Sequence, residues 1–169
     1  VAYPYYGRQG QVVSFLYDIT DRKNPVFIRK VSQDGSRYIS SRMIDGVLYT
    51  LSSYSVRGES ENEIKKKAVP NVNGEEIYCD CIYIYDYDSV SYTVLSAYDT
   101  RLNSGEVNSL SILGGGEEVY CSGDALYVAR SNYNNNDGEY SDIYAFSLNG
   151  TEIAYKASGT VKGRFLNQF

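Results

Sequence analysis

Ser36-Arg37-Tyr38-Ile39-Ser40-Ser41-Arg42-Met43-Ile44-Asp45-Gly46-Val47-Leu48-Tyr49-Thr50-Leu51 has a counterpart later in the chain, Glu117-Glu118-Val119-Tyr120-Cys121-Ser122-Gly123-Asp124-Ala125-Leu126-Tyr127-Val128-Ala129. Each reads as a strand, a tight turn, and a second strand with Leu-Tyr near its start. Upstream of each lies a strand ending near an aspartate, Leu16-Tyr17-Asp18 and Ala97-Tyr98-Asp99. A further strand follows, Phe27-Ile28-Arg29-Lys30-Val31 in one copy and Leu110-Ser111-Ile112-Leu113-Gly114 in the other. A third copy runs through Ile143-Tyr144-Ala145-Phe146-Ser147-Leu148 and Ile153-Ala154-Tyr155-Lys156-Ala157-Ser158-Gly159, then reaches Phe165-Leu166-Asn167-Gln168-Phe169.

Short alternating runs fill most of the remaining chain. Strands are expected over 11–19, 25–32, 37–44, 47–54, 77–87, 92–99, 109–113, 117–121, 125–131, 142–148 and 152–157. Asp45-Gly46, Gly123-Asp124 and Asn149-Gly150 mark turns between them. Strands at this spacing build a sandwich, a barrel or a propeller, and a repeat of four strands selects the propeller blade. The expected fold is all-β: about two complete four-stranded blades with parts of their neighbours, as an open segment of a larger propeller. Residues 1–35 read as the outer strands of a first blade, 36–115 as a second blade with an insertion at 55–76, 116–160 as a third, and 161–169 as the first strand of the next. An open set exposes strand edges and apolar blade faces. The sequence therefore predicts a longer native protein or self-association of these copies through open blade edges. The start at Val1-Ala2-Tyr3, without an initiator methionine, agrees with the first of these.

Composition narrows the function. A length of 169 residues with 43% hydrophobic content suits one sizeable core. Nineteen tyrosines and no tryptophan favour pleated, half-buried surfaces. A net charge of −5 argues against nucleic acid, whose binders concentrate excess lysine and arginine. No apolar run approaches the length of a membrane span and no basic-then-apolar leader opens the chain, so the segment reads as soluble, without membrane contact.

The runs Tyr17-Asp18-Ile19 with Pro25, Ser40-Ser41-Arg42-Met43-Ile44 with Leu48-Tyr49, Val119-Tyr120-Cys121-Ser122 with Leu126-Tyr127-Val128-Ala129, and Ser158-Gly159-Thr160-Val161-Lys162-Gly163 with Leu166-Asn167-Gln168-Phe169 resemble a known family. It comprises secreted or surface proteins with a C-terminal β-propeller domain distantly related to WD40 repeats. The resemblance spans nearly the whole chain and implies a secreted or cell-surface location and further blades beyond the equivalent of Phe169. It brings no assigned activity, substrate or catalytic residue.

The chemistry-bearing side chains are few. Without any histidine, Ser-His-Asp and Cys-His nucleophile systems have no general base within the chain. The pairs Asp86/Asp88 and Glu117/Glu118 could serve a glycosidase, though solvated loop acids are the plainer reading. Asn132-Tyr133-Asn134-Asn135-Asn136-Asp137-Gly138-Glu139 is rich in oxygen donors, with Asn134, Asn136 and Asp137 as candidate calcium ligands. An EF-hand register fails there, because Asp137 and Ile143 fall where glycine and glutamate are needed, and a plain hairpin loop is the alternative. No other cofactor is expected. If 77–87 is a strand, Cys79 and Cys81 lie on one of its faces, and either could form a disulfide with Cys121. Three reduced, buried thiols are the alternative. Gly114-Gly115-Gly116 lacks the lysine and helix of a phosphate loop and reads as a blade-to-blade link.

The insertion at 55–76, with Lys65-Lys66-Lys67 offset by Glu59, Glu61 and Glu63, is the place where a rigid scaffold would carry a binding surface. Arg42, inside an apolar inner strand, needs a carboxylate or carbonyl partner; a structural ion pair and a ligand contact near a central channel are the two readings. The expected function is a non-catalytic extracellular module that binds or scaffolds a protein or glycan. The alternative is a carbohydrate-active hydrolase using paired carboxylates and tyrosine platforms.

Overall fold

The computed structural model describes residues 10–58, 60–85, 89–116, 118–134 and 138–165. In chain order its elements are β1 Gln11–Asp18, β2 Val26–Asp34, β3 Arg37–Ile44, β4 Val47–Ser55, α1 Glu61–Lys66, β5 Asn71–Val72, β6 Glu75–Glu76, a single 3-10 turn Cys79–Cys81, β7 Ile82–Ile84, β8 Ser91–Asp99, β9 Asn108–Leu113, β10 Glu118–Cys121, β11 Ala125–Asn134, β12 Gly138–Asn149 and β13 Glu152–Lys162. They form three sheets, ordered β1-β2-β5-β6, β3-β4-β8-β9-β7 and β10-β11-β12-β13. All pairings are antiparallel except that of β7 with β9. The opening strands are neighbours in space, β3 lying beside β1 on one side and β10 on the other. The third sheet is a plain four-stranded meander, the blade expected from the repeat.

Local sequence explains the hairpins. Asp45 and Gly46 both take positive φ, 47° and 81°, which makes a two-residue turn whose twist matches the flanking strands. Asn73 and Gly74 do the same at 53° and 85°, joining β5 to β6. Gly116 is fixed by crowding: a Cβ there would lie 1.7 Å from the Ala129 carbonyl oxygen, so only glycine passes as the chain crosses from the second sheet to the third.

The middle strands are covered on both faces. Val47, Tyr49, Leu51, Leu95, Ala97, Leu110 and Ile112 of the second sheet meet Leu126, Val128, Tyr144, Phe146 and Leu148 of the third in the main apolar core. The other face of the second sheet is different in kind. Ser52 and Ser96 lie buried there against Gln33 of the first sheet, whose amide donates to Ser52 Oγ at 2.7 Å and to the Val94 carbonyl at 3.2 Å, and accepts from Ser96 Oγ. One seam is apolar and the other is held by a buried side-chain amide.

The expected strand at 77–87 is corrected. Cys79–Cys81 is a 3-10 turn closed by the Cys81 N–H on the Tyr78 carbonyl at 2.8 Å, and among the described residues of this run only Ile82–Ile84 forms a strand. The slot beside β4 is taken by β8, which pairs with it along its whole length. The earlier segment therefore adds only to the outer edge, parallel to β9.

Candidate functional site

The segment 56–90 that separates β4 from β8 reaches all three sheets. Its helix begins with an N-cap in a Ser-x-x-Glu sequence: Ser60 Oγ accepts from the Glu63 N–H at 3.3 Å. Lys65 then pairs with Glu61 at 2.6 Å, one helical turn apart. The basic run expected in a plain loop thus sits largely on α1, and the Ser60-x-x-Glu63 pattern was the signal for it. Tyr54 donates its hydroxyl to the Lys67 carbonyl at 2.7 Å, tying the helix end to the second sheet.

Next, the β5–β6 hairpin extends the first sheet. Val72 pairs with Gln33, Asn71 donates twice to the Asp34 carboxylate at 2.9 and 3.1 Å, and Asn73 Oδ1 accepts from the Ser32 N–H at 2.9 Å. Val72 and Ile77 are buried with Tyr54 and Val94 in a second apolar cluster. Finally β7 reaches the third sheet. Tyr83 stacks on Tyr155 at 5.1 Å and meets Phe146 edge-on at 5.9 Å, while Tyr85 meets Tyr144 edge-on at 5.0 Å. The Tyr85 hydroxyl donates to buried Asp142, which also accepts from Asn132 and Thr160, each at 2.6 Å. Burial and the adjacent Asp142 carboxylate push the Tyr85 hydroxyl pKa up; burial, with Tyr85 and Asp142 adding to it, does the same to Tyr144 more strongly. Both hydroxyls stay protonated at physiological pH; that of Tyr85 donates to Asp142, while that of Tyr144 is buried with no hydrogen-bond partner among the described residues.

Gripping all three sheets, the segment 56–90 is a clamp, and what it presents to solvent is its tip. Tyr78 is 81% exposed and is flanked by exposed Glu75, Glu76, Cys79 and Asp80. Tyr78 is thus an exposed aromatic ring on a segment fixed at several points.

A shallow cleft of about 430 Å³ lies on the outer face of the third sheet, lined by Glu118, Ser131, Asn132, Tyr133, Glu139 and Arg164. Glu139 sits 3.9 Å from the Arg164 guanidinium, and both side chains are mostly solvent-exposed. The carboxylates that line this cleft are thus Glu118 and Glu139, paired across β11 with Ala129 and Tyr133 respectively. The expected partners Glu117, Asp86 and Asp88 lie outside the described residues, as do the calcium candidates Asn136 and Asp137 and the side chain of Asn134. Among the described residues no group of three or more aspartate, glutamate or cysteine side chains could hold a metal.

Arg42 has the carbonyl partner and not the ion pair: among the described residues its Nη1 donates to the Ser41 carbonyl at 2.8 Å and Ser40 Oγ at 3.0 Å, with no carboxylate at ion-pair distance. A half-buried guanidinium on a strand can be satisfied by its own backbone. The thiols are free. Cys79 and Cys81 stand at the β7 edge of the second sheet, whereas Cys121 lies near Arg42 and Tyr49 at the β3 side. Those edges are about 15 Å or more apart at the spacing of neighbouring strands, beyond disulfide reach. Burial raises the Cys121 thiol pKa, with Arg42 opposing. Thiol labelling followed by peptide mapping should therefore modify exposed Cys79 first and Cys121 slower by about an order of magnitude.

A family model described as a beta propeller domain matches residues 2–169. The chain belongs to the β-propeller domain family. No curated protein and no solved structure matches it. In propeller terms the three sheets are blades. The clamp is then an insertion between the second and third strands of the middle blade, longer than the expected 55–76 because residues 77–90 belong to it.

Proposed function

We propose that this β-propeller is a non-catalytic extracellular module that binds or scaffolds another macromolecule through the tip of its clamp. The observation that carries the reading is the anchoring of one insertion to all three blades while Tyr78 remains bare at its tip. Interface energy concentrates in aromatic side chains on rigid supports, because little ordering entropy is lost there on binding. The extracytoplasmic setting rests on the resemblance to secreted and surface propellers. The partner is a protein or glycan of the cell surface, met by a tyrosine ring inside an acidic rim.

The test is retention of the purified chain on isolated envelope material and on a glycan array. Tyr78→Ala is expected to weaken retention about tenfold or more, in the range of an interface aromatic, with little change in thermal melting because Tyr78 is largely exposed in the free protein. Equal retention of the variant overturns the reading. A hydrolase reading is favoured by one observation, that Glu118 and Glu139 share a cleft with Tyr133. Glycoside turnover that disappears in both Glu118→Gln and Glu139→Gln would replace the binding module with that alternative.

A further inference from the structure

The β3 strand serves only one corner of the Arg42 guanidinium. Nη1 donates to the Ser41 carbonyl at 2.8 Å and to Ser40 Oγ at 3.0 Å, while Nε and Nη2 have no partner among the described residues. In a guanidinium Nη1 is the terminal nitrogen on the same side as Cδ. The N–H of Nε and one N–H of Nη2 therefore lie parallel on the opposite edge, as a fork that matches the two oxygens of a carboxylate. Arg42 is held in place with that bidentate edge unused.

The strand register shows where the edge stands. Arg42 lies directly across from Tyr49, and Ser40 across from Leu51, and both of those partners belong to the apolar core shared with the third blade. Cys121 approaches from the other side, packing against the same core from β10, with its thiol close enough to respond to the Arg42 charge. The guanidinium thus sits half-buried between β3 and β10, bonded to Ser40 and bordered by Cys121.

Blade packing does not require an arginine there. Leu48-Tyr49 recurs as Leu126-Tyr127, and the residue across from the tyrosine is Arg42 in the second blade but Tyr120 in the third. A half-buried cation carries a desolvation cost that neutral partners recover only in part. The ion pairs found between described residues are elsewhere, joining Lys65 to Glu61, Arg101 to Asp99 and Arg164 to Glu139. Asp45 is the fixed negative charge that Tyr49, beside Arg42, responds to. One guanidinium with a carboxylate in its neighbourhood balances a singly charged ligand and disfavours a dianion such as phosphate.

We propose that the Nε and Nη2 edge of Arg42, between β3 and β10, is a binding site for a carboxylate, supplied by an acidic sugar or by a peptide terminus. The ligand accepts both parallel N–H bonds and covers Cys121. None of the clamp's residues takes part, so Tyr78→Ala should leave the site unchanged.

Cys121 makes occupancy readable. The chain is alkylated with neutral iodoacetamide at constant ionic strength, with about 50 mM sodium galacturonate or N-acetylglycine, and modification is followed by peptide mapping. At least one of the two carboxylates should slow labelling of Cys121 by about threefold or more, while exposed Cys79 reacts at an unchanged rate. Protection by galacturonate alone assigns the site to acidic sugars, by N-acetylglycine alone to peptide termini, and by both to carboxylates of either source. Galactose, N-acetylglycinamide and inorganic phosphate should give no protection. In the isotope-labelled parent chain the Arg42 Nε–H resonance, identified by its loss in Arg42→Lys, should shift over the same concentration range. Arg42→Gln should abolish protection, and Arg42→Lys, which keeps the charge without the fork, should lose most of it. The proposal is overturned if neither carboxylate protects Cys121, if the Nε–H resonance stays fixed, if phosphate protects equally, or if Arg42→Gln is protected like the parent.

Discussion

Replacing Phe146 by alanine lowers stability by about 4 kcal/mol. The ring is fully buried in the apolar seam between the second and third blades, and both Tyr83 and Tyr155 meet it edge-on, at 5.9 and 6.0 Å. Truncation removes the transfer energy of the ring and leaves a cavity that two stiff sheets cannot collapse to fill. It also removes the surface on which Tyr83, and through it the clamp, is seated. Urea unfolding followed by far-ultraviolet dichroism gives the loss as a shift of the midpoint at constant slope. Phe146→Leu, which keeps most of the volume, should cost about 1.5 kcal/mol. Equal losses for the two variants would show that the seam tolerates a void and that the packing described here does not hold it.

The other seam fails by a different mechanism. Gln33→Met preserves volume and should still destabilise by about 3 kcal/mol, because Ser96 Oγ and the Val94 carbonyl lose the amide that pairs with them in a buried site. Packing lost at Gln33 is small in that variant, so the cost isolates the polar part. Gln33→Glu is expected to be worse at neutral pH, since it buries a carboxylate among groups that offer no cation. A buried glutamate has a raised pKa, so the chain is more stable where it is protonated, below about pH 4.3, and loses stability as pH rises through the raised value. An unfolding series from about pH 4 to pH 8 checks the sign. A Gln33→Met chain as stable as the parent would mean that water replaces the amide in the seam.

Much of this was legible in the residues. The alignment of Leu48-Tyr49 with Leu126-Tyr127 announces a four-stranded repeat, and Asp45-Gly46 and Asn149-Gly150 mark its turns, because turn geometry depends on only two or three consecutive residues. Ser60-x-x-Glu63 and Asn73-Gly74 were equally local and announce the helix and hairpin of the clamp, although a mixed-charge loop is the simpler reading of the segment around them. The run at 77–87 shows the opposite case. Its alternation suits a central strand, and yet β8 holds that place, so among its described residues only three pair with the second sheet, at the edge.

The candidate site divides in the same way. That Tyr78 sits among acids is evident from Glu75, Glu76 and Asp80; that it stands bare on a segment gripped by three blades is not. Tyr85 beside Asp142, Gln33 between Ser52 and Ser96, and the cleft shared by Glu118 and Glu139 join residues from different strands. The sequence by itself determined the strands, their turns and the repeat, since these follow from side-chain periodicity and backbone preference within a few residues. The tertiary structure alone decided which of two competing segments entered the middle of the second sheet and which seam became polar. Those outcomes depend on long-range pairing and burial, where the same tyrosine is core at Tyr49 and surface at Tyr127 according to whether another sheet lies against it.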